Sequence, residues 1–523
     1  MRQLCHLYLL VGYPVSASKP GIDVRGERPQ QQQRSQQRGD VLGLDVDRAL
    51  ASYEDAGLKG MRRWASNEIR QLSKDTPEFS AELKRAIHAL KRRPALHQTV
   101  IQDIANTRCE ALAYAFIQAL VRGGPNGVPR PIDVHAADPV RYLGDMLAWV
   151  HQAHASEIEL LDTLFIDKDS DHGHADGDDQ AVSDVRLENA RCRKDVLSLC
   201  LEGLCRPLEL RVQQTLLAMS EPTQLLKLIN FLQFYSQVFA KTCLPDSALM
   251  LTMKDMAAHA NETFINVLKT RVLDDTANIE ISPTLNVPDG CMAVIDLVRD
   301  LINIYDASFG LNHDETSPPR EEHGSVEDLQ VLSEQQILAD IFSLSLDQMV
   351  ERCQSVASTS NLLDYEATIL EWNLHSAIRN MMNANESARS WHEKVTAKLG
   401  SLESWLEQQL FELINERSGM KFVLECLDNG QQDSLTPAQI LALSTKLSEA
   451  LATGELDLTV QMGRLHSPKV TKAIIATVMT HFVDAYKRVY GFVEAKIGTD
   501  ATWDSQVDLG TFHRPHVLAT LLL

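Results

Sequence analysis

The densest cluster of potential ligands is the acidic segment Asp167–Gln180, which reads DKDSDHGHADGDDQ. An EF-hand loop has carboxylates at positions one, three and five, glycine at position six and a bidentate glutamate at position twelve. Asp167, Asp169 and Asp171 match the first three positions, but the sixth position is His172 and the twelfth is an aspartate. The segment therefore favours a solvated linker between domains over a calcium site.

Four histidines could bind a metal ion or exchange protons: His151, His154, His172 and His174. His172 and His174 are two residues apart in the acidic segment and would need further ligands from elsewhere in the chain. His151 and His154 fall on a predicted helix, with His154 close to its apolar stripe. For both of them the sequence favours a hydrogen-bonded helix histidine over a ligand.

Sequence motifs of common enzymes are absent: there is no HExxH, no GxSxG, no P-loop and no GxGxxG that opens a helix after a strand. The segment Arg122–Pro131, RGGPNGVPRP, resembles a phosphate-binding loop only in its glycines. Its prolines favour a stiff connection between two helices. We therefore predict a protein that is not an enzyme and that requires neither a cofactor nor a metal ion.

The basic run Lys84–Arg93, KRAIHALKRR, is the strongest positive patch in the sequence. Basic clusters can bind anionic lipid headgroups, but with Glu82 nearby a solvated helix face is the favoured interpretation. Both interpretations stay open at this point.

The thiols show no pattern of a metal or disulfide site. Their number is odd and no CxxC occurs, which favours buried, reduced cysteines. They are Cys5, Cys109, Cys192, Cys200, Cys205, Cys243, Cys291, Cys353 and Cys426.

The amino-acid composition indicates which secondary-structure elements position these residues. The 523 residues include 50 Lys and Arg against 71 Asp and Glu, a net charge of −21 that argues against general nucleic-acid binding. Gly and Pro number 25 and 19. Together they make up about 8% of the chain, against roughly 12% in average usage. Sixteen of them fall within residues 1–43 and 121–144. The rest of the chain is predicted to form long helices with few connections, an all-α fold.

Apolar periodicity supports these helices. Asp138-Pro139 predicts an N-cap followed by proline at the first helical position. The residues that then repeat at three- and four-residue spacing are Leu143, Met146, Leu147, Val150, Ile158, Leu161 and Phe165. Further breaks are predicted at Pro283 and Pro288, at Pro437 and at Ser467-Pro468.

Composition shifts divide the chain into six parts. We predict a disordered or doubtful N-terminal tail at 1–45, helical bundles at 46–166, 186–310 and 331–523, and linkers at 167–185 and 311–330. Residues 1–17 loosely resemble a signal peptide, and secretion would allow glycans on Asn261 and Asn385, but both sequons fall on predicted helices. No stretch has the ~18 apolar residues of a transmembrane helix.

The block from Arg122 to Gln152 resembles the signature of the sixth subunit of the conserved oligomeric Golgi complex. After the glycine–proline connector come an Asp-Pro-hydrophobic-Arg-Tyr step, a Gly-Asp-Met-Leu-Ala-Trp run and a His-Gln pair. The matching residues are Asp138, Pro139, Arg141, Tyr142, Gly144, Asp145, Met146, Leu147, Ala148, Trp149, His151 and Gln152. Weaker similarity extends from about Arg48 to the end. Members of the family carry an N-terminal coiled coil where this chain has residues 1–45, so we expect a truncated or altered N-terminus.

The resemblance implies an elongated rod of consecutive helical bundles, as in multisubunit tethering complexes. It implies a non-enzymatic vesicle-tethering subunit, peripheral on the cytosolic face of the Golgi membrane, that acts in retrograde intra-Golgi transport, Golgi structure and glycosylation. The implied partners are the other subunits of that complex, with SNAREs and Rab proteins as further ones, and the signature residues would be structural. The alternatives are a helical adaptor unrelated to the Golgi, an all-helical enzyme and a secreted protein.

Overall fold

The computed structural model describes residues 30–73, 77–124, 127–165, 179–310, 336–360, 362–383, 385–431 and 434–522. Within these ranges the regular elements are helices, and no β-strand occurs. The all-α prediction is therefore confirmed. In the described part of the chain no helix is both long enough and apolar enough to cross a membrane.

Two compact units, Met1–Arg108 and Cys109–Leu523, make up the chain. The first contains helix α1 (Gln30–Ile69), a 3-10 turn, α2 (Ala81–Leu90) and the start of α3 (Pro94–Val121). Helices α1 and α2 pack against each other. Their buried residues include Leu58, Ala65 and Ile69 on α1 and Leu83, Ile87 and Leu90 on α2.

The start of α1 differs from the predicted tail at 1–45. The helix begins at Gln30, within the low-complexity stretch, so residues 30–45 are helical. Glutamine and arginine are good helix formers even where no apolar face is present, which explains a helix without an apolar stripe there. Residues 1–29 lie outside the described residues.

The second unit continues α3 and adds the helices α4 to α17 within its described ranges. They are α4 (Pro139–Phe165), α5 (Asp179–Leu217), α6 (Pro222–Ala240), α7 (Ala248–Asp275), α8 (Asp289–Gly310), α9 (Gln348–Thr359), α10 (Asp364–Met382), α11 (Arg389–Ser418), α12 (Met420–Asp428), α13 (Pro437–Thr453), α14 (Thr459–Met462), α15 (Pro468–Thr499), α16 (Ala501–Gln506) and α17 (Pro515–Leu522). Helical residues 336–342 lead through a π-helical turn, Ser343–Asp347, into α9.

Helices α4 to α7 form the first bundle of this unit. Helix α4 packs against α5 and α6, and both of those pack against α7. The acidic linker predicted at 167–185 therefore does not separate two cores, because the apolar stripe of α4 is covered by helices that follow it. Residues 179–185 of that linker are helical, and residues 166–178 lie outside the described residues.

Helices α10, α11, α13 and α15 enclose the C-terminal core, which buries Trp372, Leu410, Phe482 and Tyr486. Leu285 from the loop before α8 is also fully buried in this core, with a left-handed φ of 53°. The bundles predicted at 186–310 and 331–523 thus share a core, and the linker predicted between them at 311–330 lies outside the described residues.

Helix boundaries follow the predicted breaks. Thr436 and Gln439 form a capping box at the start of α13, and the Ser467 hydroxyl accepts a hydrogen bond from the Val470 amide at the start of α15. Proline takes the first position in both helices, where its missing N–H costs no hydrogen bond. The predictions at Pro437 and Ser467-Pro468 are confirmed, and Pro283 and Pro288 lie in the loop before α8.

Candidate functional site

The signature block forms the first half of α4 and the connection that precedes it. The Asp138 carboxylate accepts a hydrogen bond from the Arg141 backbone N–H at 3.2 Å, and α4 begins at Pro139. The predicted N-cap is therefore confirmed. The side chains of Arg141 and Asp145 lie 3.8 Å apart on the exposed face of the helix.

A partly buried hydrogen-bond network joins this helix end to α5. The Tyr142 hydroxyl donates to one oxygen of the Asp133 carboxylate at 2.7 Å, and the Arg211 guanidinium donates to the other at 3.1 Å. Burial, together with the hydrogen bond to Asp133, raises the pKa of Tyr142 above its ordinary value. The network fixes the end of the proline-rich connector against a helix that lies 78 positions further along the chain.

The apolar face of the signature is packed into the bundle. Leu143, Met146, Leu147 and Val150 are fully buried. The ring of Trp149 lies 5.0 Å from that of Phe116 on α3, measured between centroids. The burial of these side chains agrees with the predicted apolar stripe. Ile158 and Phe165, which belong to the same predicted stripe, are only half-buried.

Gly144 and Gln152 differ from the other signature residues, because no packing contact among the described residues accounts for their residue types. A Cβ atom on Gly144 would meet no atom within 4 Å, so packing does not require a glycine there. Gln152 is exposed, and its backbone carbonyl accepts a hydrogen bond from Ser156. We have no packing reason for either residue type.

His151 and His154 lie beside aromatic rings of α6. The centroid of the His151 ring is 6.0 Å from that of Tyr235, and the His154 and Phe239 rings form a T-shaped pair with centroids 5.3 Å apart. The Nε2 atom of His154 is 2.8 Å from the Thr242 hydroxyl oxygen. Burial, with a smaller effect from His151, lowers the pKa of His154 to about 4. His154 is thus the hydrogen-bonded, neutral helix histidine that the sequence favours.

Cys243 lies 3.7 Å from the same nitrogen of His154, a pairing that could suggest a nucleophilic thiolate. An activated thiol needs a lowered pKa and a histidine that holds a proton. Here burial raises the pKa of Cys243 to about 11, and the histidine pKa moves down. Both shifts oppose an ion pair, so the pair acts as a packed, neutral contact.

The connector Arg122–Pro131 forms a backbone hydrogen bond within the loop. Gly123 has a φ of 75°, and a Cβ atom on it would lie 2.4 Å from the Pro129 carbonyl oxygen. The Gly124 N–H donates to that same carbonyl at 2.8 Å. Because the loop uses this amide internally, its geometry fits the predicted stiff connector.

The remaining ligand candidates of the sequence, for which a solvated linker is the favoured interpretation, are in the acidic segment. The EF-hand-like residues and His172 and His174 lie outside the described residues. Within the described ranges, no three His, Cys, Asp or Glu side chains are grouped so that they could hold a metal ion. None of the eight cysteines of the described ranges is in a disulfide, and Cys5 lies outside these ranges. Of the sequon residues, Asn261 is half-buried on α7, and Asn385 donates to Asp306 at 2.9 Å.

An exposed apolar stripe lies on α3 where it enters the second unit. Tyr114, Ile117 and Val121 are 64%, 46% and 54% exposed and repeat at three- and four-residue spacing. On α5, Leu210 and Leu217 are exposed seven positions apart. Large apolar side chains in register on a helix are typical of surfaces that receive another helix. Sequence periodicity could not distinguish this stripe from a core stripe.

Comparisons with known proteins agree with the resemblance. The family model "Conserved Oligomeric Golgi complex subunit 6, C-terminal" matches residues 40–516. The curated subunit 6 of Arabidopsis thaliana is 36% identical over 272 residues, which cover 49% of this chain and 39% of that protein. Those of Rattus norvegicus and Homo sapiens are 27% and 25% identical, each over 87% of this chain and 65% of the relative. The chain thus spans less than two thirds of the length of these relatives.

Solved structures with a similar fold include those of the exocyst subunit Exo70p. One, described together with the Exo84p C-terminal domains, has a TM-score of 0.51 at 10% identity, and another, from S. cerevisiae, has 0.51 at 11%. Each match covers 90% of this chain and 86% of the other. At this identity the likeness concerns the fold, which is that of a helical-bundle protein.

Proposed function

Since the chain belongs to the family of subunit 6 of the conserved oligomeric Golgi complex, we propose that it works as a non-enzymatic subunit of a Golgi vesicle-tethering complex. The observation that carries the proposal is the family match over residues 40–516. Its role would lie in retrograde intra-Golgi transport, and through that in Golgi structure and glycosylation. Its place would be the cytosolic face of the Golgi membrane.

The architecture supports a role in binding. Neighbouring bundles of the second unit share helices, since α6 packs against both α4 and α8, and α10 packs against both α8 and α11. A fold built this way offers long helical surfaces for partners. The signature residues at Asp138, Tyr142 and Met146 would then be structural, because they fix α4 within the first bundle.

We place a contact with another subunit of the complex on the exposed stripe Tyr114, Ile117 and Val121. An amphipathic helix of that subunit would cover these side chains and remove their apolar surface from water. SNAREs and Rab proteins would be further partners on other surfaces.

Affinity purification from cell extract tests the proposal. The tagged chain should recover other subunits of the conserved oligomeric Golgi complex, identified by mass spectrometry. The variant Ile117→Glu should lose at least one of them, because a carboxylate would have to be buried in the contact. The variant Val460→Glu is the matched control, since Val460 is 76% exposed on a different helix and its change should leave recovery intact.

Two results would contradict this function. Recovery of an unrelated set of proteins, with fluorescence of the tagged chain away from the Golgi, would favour the helical adaptor. Recovery of no subunit by a chain with native helix content would exclude assembly by this chain. Equal recovery by Ile117→Glu and the unchanged chain would remove the stripe from the contact and leave complex membership standing.

A further inference from the structure

Charge is distributed unevenly along the chain. Residues 48–108 contain twelve Lys and Arg but only seven Asp and Glu, whereas the whole chain has a net charge of −21. The compact unit that ends at Arg108 is therefore basic in an acidic protein. Such a local excess attracts anionic surfaces that the protein as a whole would repel.

Ion pairs neutralise only part of this excess. They join Arg85 to Glu82 at 3.4 Å and Arg92 to Glu54 at 3.4 Å, and both Lys59 and Arg93 to Asp55, at 2.8 Å and 3.9 Å. Four other cations of this unit make no ion pair within the described residues: Arg62, Arg63, Arg70 and Lys84. Three of the four are on α1 or the turn that follows it, outside the basic run that the sequence singles out.

Two of these ion pairs show the register of α1 against α2. Arg92 and Arg93, just after α2, meet Glu54 and Asp55 on α1, and the chain turns back between the two helices. Both helices rise about 1.5 Å per residue. Eight positions on from Glu54 and eight back from its partner Arg92 lie Arg62 and Lys84, which therefore stand at about the same level. Arg62 is beside Arg63, and Arg70 is two turns further along.

The surroundings of these cations favour a membrane over a protein partner. A docking peptide needs an apolar anchor in addition to charge. The large apolar side chains exposed in the described part of this unit are Leu50 and Tyr53, and Tyr53 precedes Arg63 by ten residues, or about 15 Å of helix. Cations without an apolar anchor residue beside them can still bind a layer of phosphate headgroups, because that attraction is electrostatic and needs no apolar contact.

We propose that the cations Arg62, Arg63, Arg70 and Lys84 of this unit bind anionic phospholipid headgroups at a membrane surface. The interaction would be electrostatic and reversible, and it would give the chain a direct contact with the membrane beside any contact made through partners. The proposal goes beyond subunit membership and does not depend on it, because a purified chain can be tested without any other subunit.

Vesicle sedimentation tests this proposal on the purified full chain. The vesicles are phosphatidylcholine alone or phosphatidylcholine with about 30% phosphatidylserine, at about 50 mM and about 500 mM salt. The chain should sediment with the anionic vesicles at low salt, stay in solution with the neutral ones and be released at high salt. The triple variant Arg62→Glu, Arg63→Glu and Lys84→Glu should bind at least about tenfold less.

The matched control makes the same change in net charge elsewhere. It combines Arg206→Glu, Arg299→Glu and Lys487→Glu, three cations of the second unit that each pair with a carboxylate three positions away. This control should bind the vesicles to within about twofold of the unchanged chain. Circular dichroism should show native helix content for both variants.

Three outcomes would overturn the proposal. The first is no sedimentation of the unchanged chain with anionic vesicles at low salt. The second is equal loss in the triple variant and its control, which would trace binding to net charge. The third is retention on polyglutamate resin without vesicle binding, which would assign these cations to an acidic protein segment. None of these outcomes bears on recovery of the Golgi subunits.

Discussion

Asn373 on α10 holds the backbone of Leu285, 88 positions earlier, through a buried hydrogen bond of 2.9 Å from its Nδ2 atom to the Leu285 carbonyl. The same amide group donates to the Arg464 carbonyl at 3.0 Å, and its oxygen accepts from the His466 N–H at 2.9 Å. One side chain thus satisfies three backbone groups in two loops. It secures the insertion of Leu285 into the C-terminal core.

Replacing Asn373 by alanine should loosen both loops. Each buried backbone group left without a partner costs about 1–3 kcal/mol, so we expect a loss of about 3 kcal/mol in the free energy of local opening. Amide hydrogen exchange followed by mass spectrometry should then show residues 282–286 and 464–466 exchanging about a hundredfold faster. The control Asn266→Ala, at an exposed helix position, should leave these peptides unchanged.

Unchanged exchange of both loops in Asn373→Ala would contradict the assigned role. The variant Asn373→Asp separates hydrogen bonding from size, because a carboxylate of nearly the same shape cannot donate to the two carbonyls. It should behave like the alanine variant or worse.

Local signals account for what the sequence predicts correctly about this region. The start of α15 follows from Ser467 and Pro468, since a cap and a first-turn proline act within one helical turn. Asn373 carries no comparable signal, because a polar residue in a helix usually indicates an exposed face. Its partners lie in loops that only the tertiary fold brings together, and the left-handed Leu285 is a conformation that its residue type does not indicate.

Acid should destabilise the second unit through His154. The folded pKa of about 4 lies below the ordinary histidine pKa of 6.5 in an unfolded chain, so the unfolded state binds the proton first. The stability that the neutral side chain contributes is complete above pH 6.5 and is lost as the pH falls towards 4. Between pH 7 and pH 5 we expect a loss of about 2 kcal/mol from this residue.

Urea unfolding at the two pH values measures this effect. In His154→Gln, whose side chain does not titrate, the drop in stability between pH 7 and pH 5 should be smaller by that amount, whatever the variant's stability at pH 7. Equal drops in the two proteins would show that His154 is not kept neutral by its surroundings. The exposed His259→Gln is the control, and its drop should match that of the unchanged chain.

The tyrosine of the signature should prove structural. Tyr142→Phe removes the hydrogen bond to Asp133 but keeps the ring in its buried position, so we expect a loss of about 1–2 kcal/mol in the stability of the first bundle. Hydrogen exchange of residues 132–146 reports this loss locally. Tyr53→Phe, on the exposed face of α1, should change nothing there. Native exchange in Tyr142→Phe would leave the signature tyrosine without a structural role.

Only part of the signature's structure could be predicted from the sequence. Its N-cap and its apolar face follow from spacing within one helix, and the structure has both. The network of Asp133, Tyr142 and Arg211 does not follow, since Arg211 is a charged residue on a different helix and nothing in its neighbours marks it as half-buried. Sequence patterns identify the helix, and packing between helices determines which polar groups it uses.

Two glycines in helix interiors should respond to alanine in opposite ways. Glycine in a helix is ordinarily less stable than alanine by about 0.5–1 kcal/mol, because its backbone loses more freedom on folding. At Gly400 on α11 an added Cβ atom would meet nothing within 4 Å, so Gly400→Ala should stabilise the protein by about that amount.

At Gly203 on α5 the same atom would lie 2.4 Å from the Cys109 carbonyl oxygen and 3.2 Å from the Ala113 Cβ atom. Neither neighbour is a flexible chain end, so the helices would have to move apart, and Gly203→Ala should destabilise by about 1–3 kcal/mol. Thermal unfolding of the two variants, each compared with the unchanged chain, gives the signs directly. A stabilising Gly203→Ala would mean that α3 and α5 do not approach each other this closely.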